Sequence, residues 1–349
     1  MKKILFLTIL FLWSCSDDTT TSPTDDVDKK ISFNIEIDQY NSSNSELLSD
    51  DINNVKLAYN GELLIGTDKG INIVDPNYNW KSLSREKGTL SLIKVKSLDL
   101  DRNGNYWYTD GYEGLCNTNL KLDTFYYYPK LGLDEMYPKD ILIDNDSKVY
   151  LATNENGVIK INNNDRLIDT SKIDIVSRKT NSQFPWNRLK GFVYNRKTGE
   201  IWIAAQEIGL GSNKIVRVKD DIFTEVYGAT TGINFDFINT MFVDNNGMLW
   251  ISTYEGIAIY DGNYWEVIKK IEKANGNYIQ ASLKDKHDNI WSYVKDHGFI
   301  IFLDKEQKWV DLSELTNKMP SFQFKGLLLD NNNDIIIVTQ KSGIFRVKV

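Results

Sequence analysis

Chemistry on a protein needs nucleophiles, acid–base pairs or metal donors, and this chain is poor in all three. Its 349 residues include two histidines, His287 and His297, and two cysteines, Cys15 and Cys116. His287 precedes the run Ile290-Trp291-Ser292-Tyr293-Val294 and His297 follows it. If that run is a strand, the two imidazoles stand at its opposite ends, about 25 Å apart, and share neither a metal nor a proton. The sequence holds no Gly-x-Ser-x-Gly elbow and no His-Glu-x-x-His pair. The turns Asp101-Arg102-Asn103-Gly104 and Asp330-Asn331-Asn332-Asn333-Asp334 lack the twelfth-position Glu of a calcium loop. They read instead as hairpins whose Asp side chains bond the backbone. No metal and no cofactor is expected.

What the chain does repeat is a carboxylate in a particular kind of turn. Asp68, Asp110 with Glu113, Glu155, Glu207, Glu255 and Asp296 all sit in short polar turns that end near a glycine or lead into an apolar run. Lys69, Lys295 and Lys341 are expected on the same face and offset part of the charge. Ahead of the fourth repeat described below, Phe184-Pro185-Trp186-Asn187-Arg188 sets an aromatic next to a guanidinium, a pair suited to stacking on sugars or peptides. The candidate ligand-binding residues are therefore Glu113, Glu155, Trp186, Arg188, Glu207, Tyr254, Glu255, Asp296 and His297. A ring of such carboxylates favours a cation, a basic peptide or sugar hydroxyls.

The elements that would position these groups recur along the chain. A turn followed by an apolar or aromatic strand appears seven times. The instances are Asn60-Gly61-Glu62-Leu63-Leu64, Asn103-Gly104-Asn105-Tyr106-Trp107, Asp146-Ser147-Lys148-Val149-Tyr150 and Thr198-Gly199-Glu200-Ile201-Trp202, then Asn246-Gly247-Met248-Leu249-Trp250, His287-Asp288-Asn289-Ile290-Trp291 and Asn332-Asn333-Asp334-Ile335-Ile336. Their fifth positions are 43, 43, 52, 48, 41 and 45 residues apart, the period of a propeller blade. Asn-Gly between two apolar runs is a strong hairpin signal, because both residues tolerate positive φ. A strand-like stretch precedes each frame and two more follow, the last usually aromatic: Trp80, Phe125 to Tyr128, Phe223, Trp265, Trp309.

The expected fold is thus all-β, a seven-bladed β-propeller of four-stranded antiparallel blades over residues 31–349. The seventh frame reaches a third strand at Ile344 to Val347 and the sequence stops at Val349. The alternating stretch Ile31 to Ile37 is expected to supply the missing outer strand and close the ring. Trp107, Tyr150, Trp202, Trp250 and Trp291 then fill the wedge between blades rather than stack on a sugar, and Cys116 is a small core residue.

The run Asp244 to Gly256 (Asp-Asn-Asn-Gly-Met-Leu-Trp-Ile-Ser-Thr-Tyr-Glu-Gly) resembles the two-component regulator propeller repeat. The resemblance extends over residues 50–349, closest in blades two and five. It implies a propeller of the kind that forms the extracytoplasmic sensory part of hybrid regulators responding to carbohydrate or cell-envelope cues. The sequence shows no kinase, receiver or DNA-binding segment beside it.

The first residues carry an address. Lys2 and Lys3, an apolar run from Ile4 to Trp13, then Leu12-Trp13-Ser14-Cys15 read as a lipoprotein signal, residues 1–14, with Cys15 acylated. A run of about ten residues is too short to cross about 30 Å of hydrocarbon. Residues 15–30 are Ser, Thr and Asp-rich, a flexible tether spanning about 20 Å root-mean-square. Cys15-Ser16-Asp17-Asp18 resembles an acidic signal that sends some lipoproteins to the outer face of the outer membrane. The net charge of −7 becomes −9 once Lys2 and Lys3 leave with the signal, which disfavours nucleic acid. The expected protein is a monomer held to the membrane through Cys15, a non-catalytic recognition or sensory module for a glycan or envelope protein. The alternative is a propeller lyase or hydrolase using carboxylates of the central funnel.

Overall fold

The computed structural model describes residues 35–349 apart from 91–93, 113, 120–123, 130, 132–135, 163–167, 170–172, 183, 186, 207–212, 221, 228–234, 236–237, 269–270, 272–277, 318 and 320–322. Cys15, the signal and the tether lie outside the described residues, as do Glu113, Trp186 and Glu207. Among the described residues no helix is long and apolar enough to cross a membrane.

Seven four-stranded antiparallel sheets follow one another. Blade one comprises Ile52–Leu57, Leu63–Thr67, Gly70–Val74 and Trp80–Leu83; blade two Ser97–Leu100, Asn105–Thr109, Gly114–Asn119 and Thr124–Pro129. Blade three comprises Pro138–Ile143, Val149–Thr153, Val158–Ile161 and Ile173–Val176; blade four Arg188–Asn195, Glu200–Gln206, Asn213–Lys219 and Ile222–Tyr227. Blade five has Thr240–Val243, Leu249–Ser252, Ile257–Tyr260 and Trp265–Ile268; blade six Ile279–Lys284, Ile290–Val294, Gly298–Leu303 and Lys308–Asp311. Blade seven takes Gln323–Leu329, Ile335–Gln340 and Ile344–Lys348, and its fourth, outermost strand is Glu36–Tyr40. The first strand of each blade contacts the first strand of the next, blade seven's meeting blade one's, so the first strands line a central channel.

The ring closes through the N-terminal strand, as the missing seventh-blade strand requires. The paired residues are Glu36 to Tyr40, with Ile37 opposite Val347 and Tyr40 opposite Ile344. The register therefore runs a few positions beyond the expected Ile31 to Ile37, and residues 31–34 are not described. Tyr40 explains the shift physically: its ring packs 5.7 Å from Tyr78 and 5.5 Å from Trp80 of blade one, joining the two ends of the ring. Gly343, at φ +75°, faces the same strand, and a Cβ there would collide with the Tyr40 carbonyl.

The recurring frame is explained by one side chain. Asp101 Oδ1 accepts the N–H groups of Asn103 and Asn105, and its Oδ2 accepts the Trp107 indole N–H at 2.9 Å. Asp244 does the same for Asn246, Met248 and Trp250, and Asp285 for His287, Asn289 and Trp291. In blade three Asp144 accepts from Asp146, Lys148 and the Tyr150 hydroxyl. Thus the Asp two residues before the hairpin frame caps the turn and orients the aromatic between blades. Trp107, Tyr150, Trp202, Trp250 and Trp291 are all buried, and so is Cys116. Blade four has Asn195 in place of the Asp, and there Arg217 lies over the Trp202 ring at 5.6 Å.

A second lock fixes the other end of the second strand. The hydroxyls of Thr67, Thr109, Thr153, Thr253 and Thr339 donate to the carbonyls of Gly70, Gly114, Gly157, Gly256 and Gly343. The Thr and Gly of the repeat are thereby accounted for by turn geometry.

Candidate functional site

Antiparallel order places the turns between second and third strands at the same end of the ring as the connections from one blade to the next. Asp68, Asp110, Glu155, Glu255 and Asp296 are at that end, here called the mouth face, and Glu155, Glu255 and Asp296 are exposed. The Glu255 N–H donates to Thr253 Oγ1, which turns the residue outward. Asp68 is engaged: Asn53 Nδ2 donates to it at 2.7 Å and Lys94 pairs with it at 3.1 Å. Burial pushes the Asp68 carboxyl up, but Asn53 and Lys94 outweigh this and hold it below the ordinary carboxylate range.

His297 is at the same end, its N–H bonded to the Val294 carbonyl and its Nε2 3.4 Å from Asp311. His287 caps the opposite end of the strand Ile290–Val294, bonded to Asp285. The two histidines thus stand in different turns, as the sequence spacing requires. Among the described residues no group of three His, Cys, Asp or Glu could hold a metal ion. Tyr254 is 40% exposed and its ring lies 3.9 Å from that of Tyr278, which Lys295 covers at 5.1 Å. Burial and Tyr254 push the Tyr278 hydroxyl up to about 12. Tyr293 stacks on Phe324 at 4.0 Å, so blades five to seven present two aromatic pairs at this end. Arg188 opens the first strand of blade four and is exposed.

The most regular feature of this face went unread in the sequence. In five blades the register of the first strand against the second slips by one residue near the strand's start: between Ile52 and Asn54, Pro138 and Asp140, Leu189 and Gly191, Ile279 and Ala281, and Phe324 and Gly326. A bulge of this kind leaves one residue unpaired and re-aims its side chain. In blades two and five the equivalent residues are Lys96 and Asn239, whose N–H groups bond Thr109 and Ser252. The seven positions are therefore Asn53, Lys96, Lys139, Lys190, Asn239, Gln280 and Lys325. Each lies five residues before the residue that opens the next turn, Asp101, Asp144, Asn195 or Asp330 in the lysine blades.

The residues just ahead of the bulge are buried in blades one to six, whereas the bulge residues reach solvent. Three of these side chains run sideways to the next blade. Lys190 Nζ donates to the Ile238 carbonyl at 2.9 Å, Lys325 Nζ to the Ile52 carbonyl, and Asn239 Nδ2 to the Ile279 carbonyl at 2.7 Å. The innermost strands are thus bridged across the blade boundaries by the bulge residues themselves. Deeper in the channel Lys56 Nζ sits 3.2 Å from Asp99 and donates to the Ile141 carbonyl, tying blades one, two and three. Burial works against the Lys56 charge, but Asp99 and Asp140 outweigh it and hold the ammonium above the ordinary lysine range.

Lys96, Lys190 and Lys325 behave in the opposite way. Burial, then Lys94 and Lys139, push Lys96 below the ordinary lysine range, with Asp68 pulling the other way. Lys190 is lowered by burial and by Arg188, and Lys325 by burial and Lys96, partly countered by Asp51 and Asp68. The centre of a face whose outer turns are acidic is cationic. Beyond Lys69, Arg188, Lys295 and Lys341, which the sequence already suggested, the structure adds Lys94, Lys96, Lys139, Lys190 and Lys325 to the same end.

With seven such blades in place, comparison with known proteins becomes informative. Residues 232–255 match the family described as two component regulator propeller. That stretch overlaps the repeat read in Asp244 to Gly256 from Asp244 to Glu255. The repeat's Asp, Trp, Thr and Gly are the cap, the wedge and the turn lock seen above. The extracellular domain of a hybrid two component system from B. thetaiotaomicron is similar over 89% of this chain, with 16% identity and a TM-score of 0.63. This chain spans 41% of that structure. A streptogramin B lyase is similar over 90% of this chain and 97% of its own, at 12% identity and TM-score 0.64. YCF48 bound to D1 peptide matches 90% of this chain and 97% of its own, at 14% identity and TM-score 0.65. At these identities the likeness is one of fold. No curated protein matches the sequence.

Proposed function

We propose that the protein is a lipid-anchored, extracytoplasmic recognition or sensory module, tethered through Cys15 to the outer membrane and exposed at the cell surface, which binds a glycan or an envelope protein and catalyses nothing itself. The observation that carries this reading is the division of labour in the ring. The frame residues and the strand interiors are spent on caps, wedges and turn locks, while the mouth face holds seven equivalent polar side chains at solvent around the channel, beside two aromatic pairs. A surface built of hydrogen-bonding groups and ring faces suits recognition. The likeness to an extracellular domain of a hybrid two component system supports the placement outside the cytoplasm. A lyase or hydrolase would use paired carboxylates in the funnel, whereas the bulge positions that line it carry amines and amides.

A screen of the full chain, in mild detergent, against envelope glycans and solubilised envelope proteins tests the reading. The expected hit loses affinity on Glu255→Gln and Trp186→Ala and keeps it on Asn103→Ala. Turnover of the hit by the wild-type chain would overturn the non-catalytic reading. For the anchor, Cys15→Ser should abolish both incorporation of labelled fatty acid and partition with membranes. A wild-type chain that takes up no lipid would remove the anchor from the account.

A further inference from the structure

The bulge ring points to a ligand class more specific than the recognition reading on which it rests. Four of its seven positions are lysines, three are amides, and none is acidic or apolar. Lys190 and Lys325 each donate to a neutral backbone carbonyl of the neighbouring blade, so their positive charge is oriented but not neutralised by that bond. Lys94 and Arg188 add two more cations at the same end, of which Lys94 is paired with Asp68. Cations gathered in one ring at a concave mouth repel one another, and an anion bound among them relieves that repulsion. We propose that the channel mouth is a binding site for an acidic oligosaccharide, its carboxylates held by Lys96, Lys139, Lys190 and Lys325 and its hydroxyls by Asn53, Asn239 and Gln280.

Two features favour a sugar over an acidic peptide. The first is the aromatic flank: the exposed Tyr254 against Tyr278, and the half-buried Tyr293 stacked on Phe324, the residue immediately before Lys325, set ring surface suited to pyranose rings next to the cations. The second is the state of the inner strand edges. An extended peptide gains affinity by pairing with a free strand edge. Here the carbonyls of Ile52, Ile238 and Ile279 accept side-chain donors, and the N–H groups of Val95 and Ile279 donate to Thr67 and Thr253 of the preceding blades. The edge is occupied at these points, while amides that both donate and accept remain around the ring to match hydroxyls.

Burial first, and neighbouring cations second, hold the amines of Lys96, Lys190 and Lys325 below the ordinary lysine range. The basic mouth also sits on a chain of net charge −7, so the cations are a local feature and not a reflection of composition.

The test is calorimetric titration of the full chain in mild detergent with trigalacturonate, using a neutral galactose trimer and triglutamate as controls. Trigalacturonate should saturate the protein and the controls should not. Lys190→Ala and Lys139→Ala should each weaken binding about tenfold or more, the loss expected for one charge-assisted contact, and Lys190→Arg should restore most of it. Raising the salt to about 0.5 M, where the screening length falls below about 5 Å, should weaken it further. Equal binding of triglutamate would overturn the sugar assignment in favour of an acidic peptide. Equal binding of the neutral trimer, indifferent to the lysine variants, would overturn the acidic ligand while leaving the recognition reading intact. Saturation by none of the three would overturn the proposal, and a hit from the wider screen would show that recognition itself survives. Because Lys139 accepts no buried role in the fold, a folded Lys139→Ala chain keeps the comparison valid should Lys190→Ala lose structure.

Discussion

The two ends of the ring are built from equivalent positions put to opposite uses. At the end with the hairpin frames, Asp101, Asp144, Asp244, Asp285 and Asp330 repeat one chemistry from blade to blade, capping their own turns, and among the described residues only Asp330 of these also accepts from another blade, through the Tyr78 hydroxyl at the seam. At the mouth, the bulge positions also repeat, but what repeats is a polar side chain at solvent, with Lys190, Asn239 and Lys325 bonded to carbonyls of the neighbouring blade and Asn53 to Asp68. The first end satisfies its polar groups locally, as buried groups must be. The second leaves charge oriented and accessible, which a structure tolerates where a ligand completes the arrangement. A propeller can therefore be read by asking of each repeated polar residue whether its partners lie within its own blade.

The largest effect expected from breaking this contrast is at the seam. Removing residues 36–40 leaves blade seven a strand short and uncovers Tyr78 and Trp80, and even Tyr40→Ala should cost about 3 kcal/mol, as deletion of a packed aromatic does. A thermal melt with light scattering checks it, with earlier unfolding and association expected for the deletion. The next is at the frame. Asp285→Ala strands the Trp291 indole N–H and two backbone N–H groups and should cost roughly 2–4 kcal/mol by denaturant titration. By contrast Lys139→Ala at the mouth should change stability by no more than about 0.5 kcal/mol, because the residue is exposed.

A gentler probe is pH. The mouth lysines bind anions only while protonated, and Lys96, Lys190 and Lys325 lose protons earlier than ordinary lysines. Binding of trigalacturonate should therefore be full at neutral pH and fall as pH rises toward the ordinary lysine value, beginning below it. Lys94, Lys139, Arg188, Asp51 and Asp68 are the charged groups that set how early. For folding the sign is the reverse: a lysine whose folded pKa is depressed weakens the fold while charged, so its penalty is relieved as pH rises through that depressed value. The smallest effects belong to Asn103→Ala and Glu255→Gln, each within about 0.5 kcal/mol in stability.

Blade number, strand order and ring closure were legible because each rests on a local signal repeated at a fixed spacing: the Asp before the Asn-Gly turn, the mid-strand Trp, the Thr and Gly of the next turn. The closing strand was placed a few residues early, because alternation in Ile31 to Ile37 does not reveal where Tyr40 packs. The acidic turns were legible as well, since Glu155, Glu255 and Asp296 stand at the mouth and are exposed. The lysines were not. Lys96, Lys139, Lys190 and Lys325 look like ordinary strand-edge charges until the assembled blades set them at equivalent places around the mouth, and a bulge has no residue signature of its own. Their common place, five residues ahead of the turn-opening Asp or Asn, was the available signal.

The claim that recognition belongs to the mouth face is met most directly by one paired titration. Trigalacturonate is measured against the full chain carrying Lys139→Ala with Lys190→Ala, and against the full chain carrying Asn103→Ala with His287→Ala. The account predicts binding lost in the first pair and unchanged in the second. Binding kept in the first pair and lost in the second would put the site at the opposite end of the channel and contradict the account.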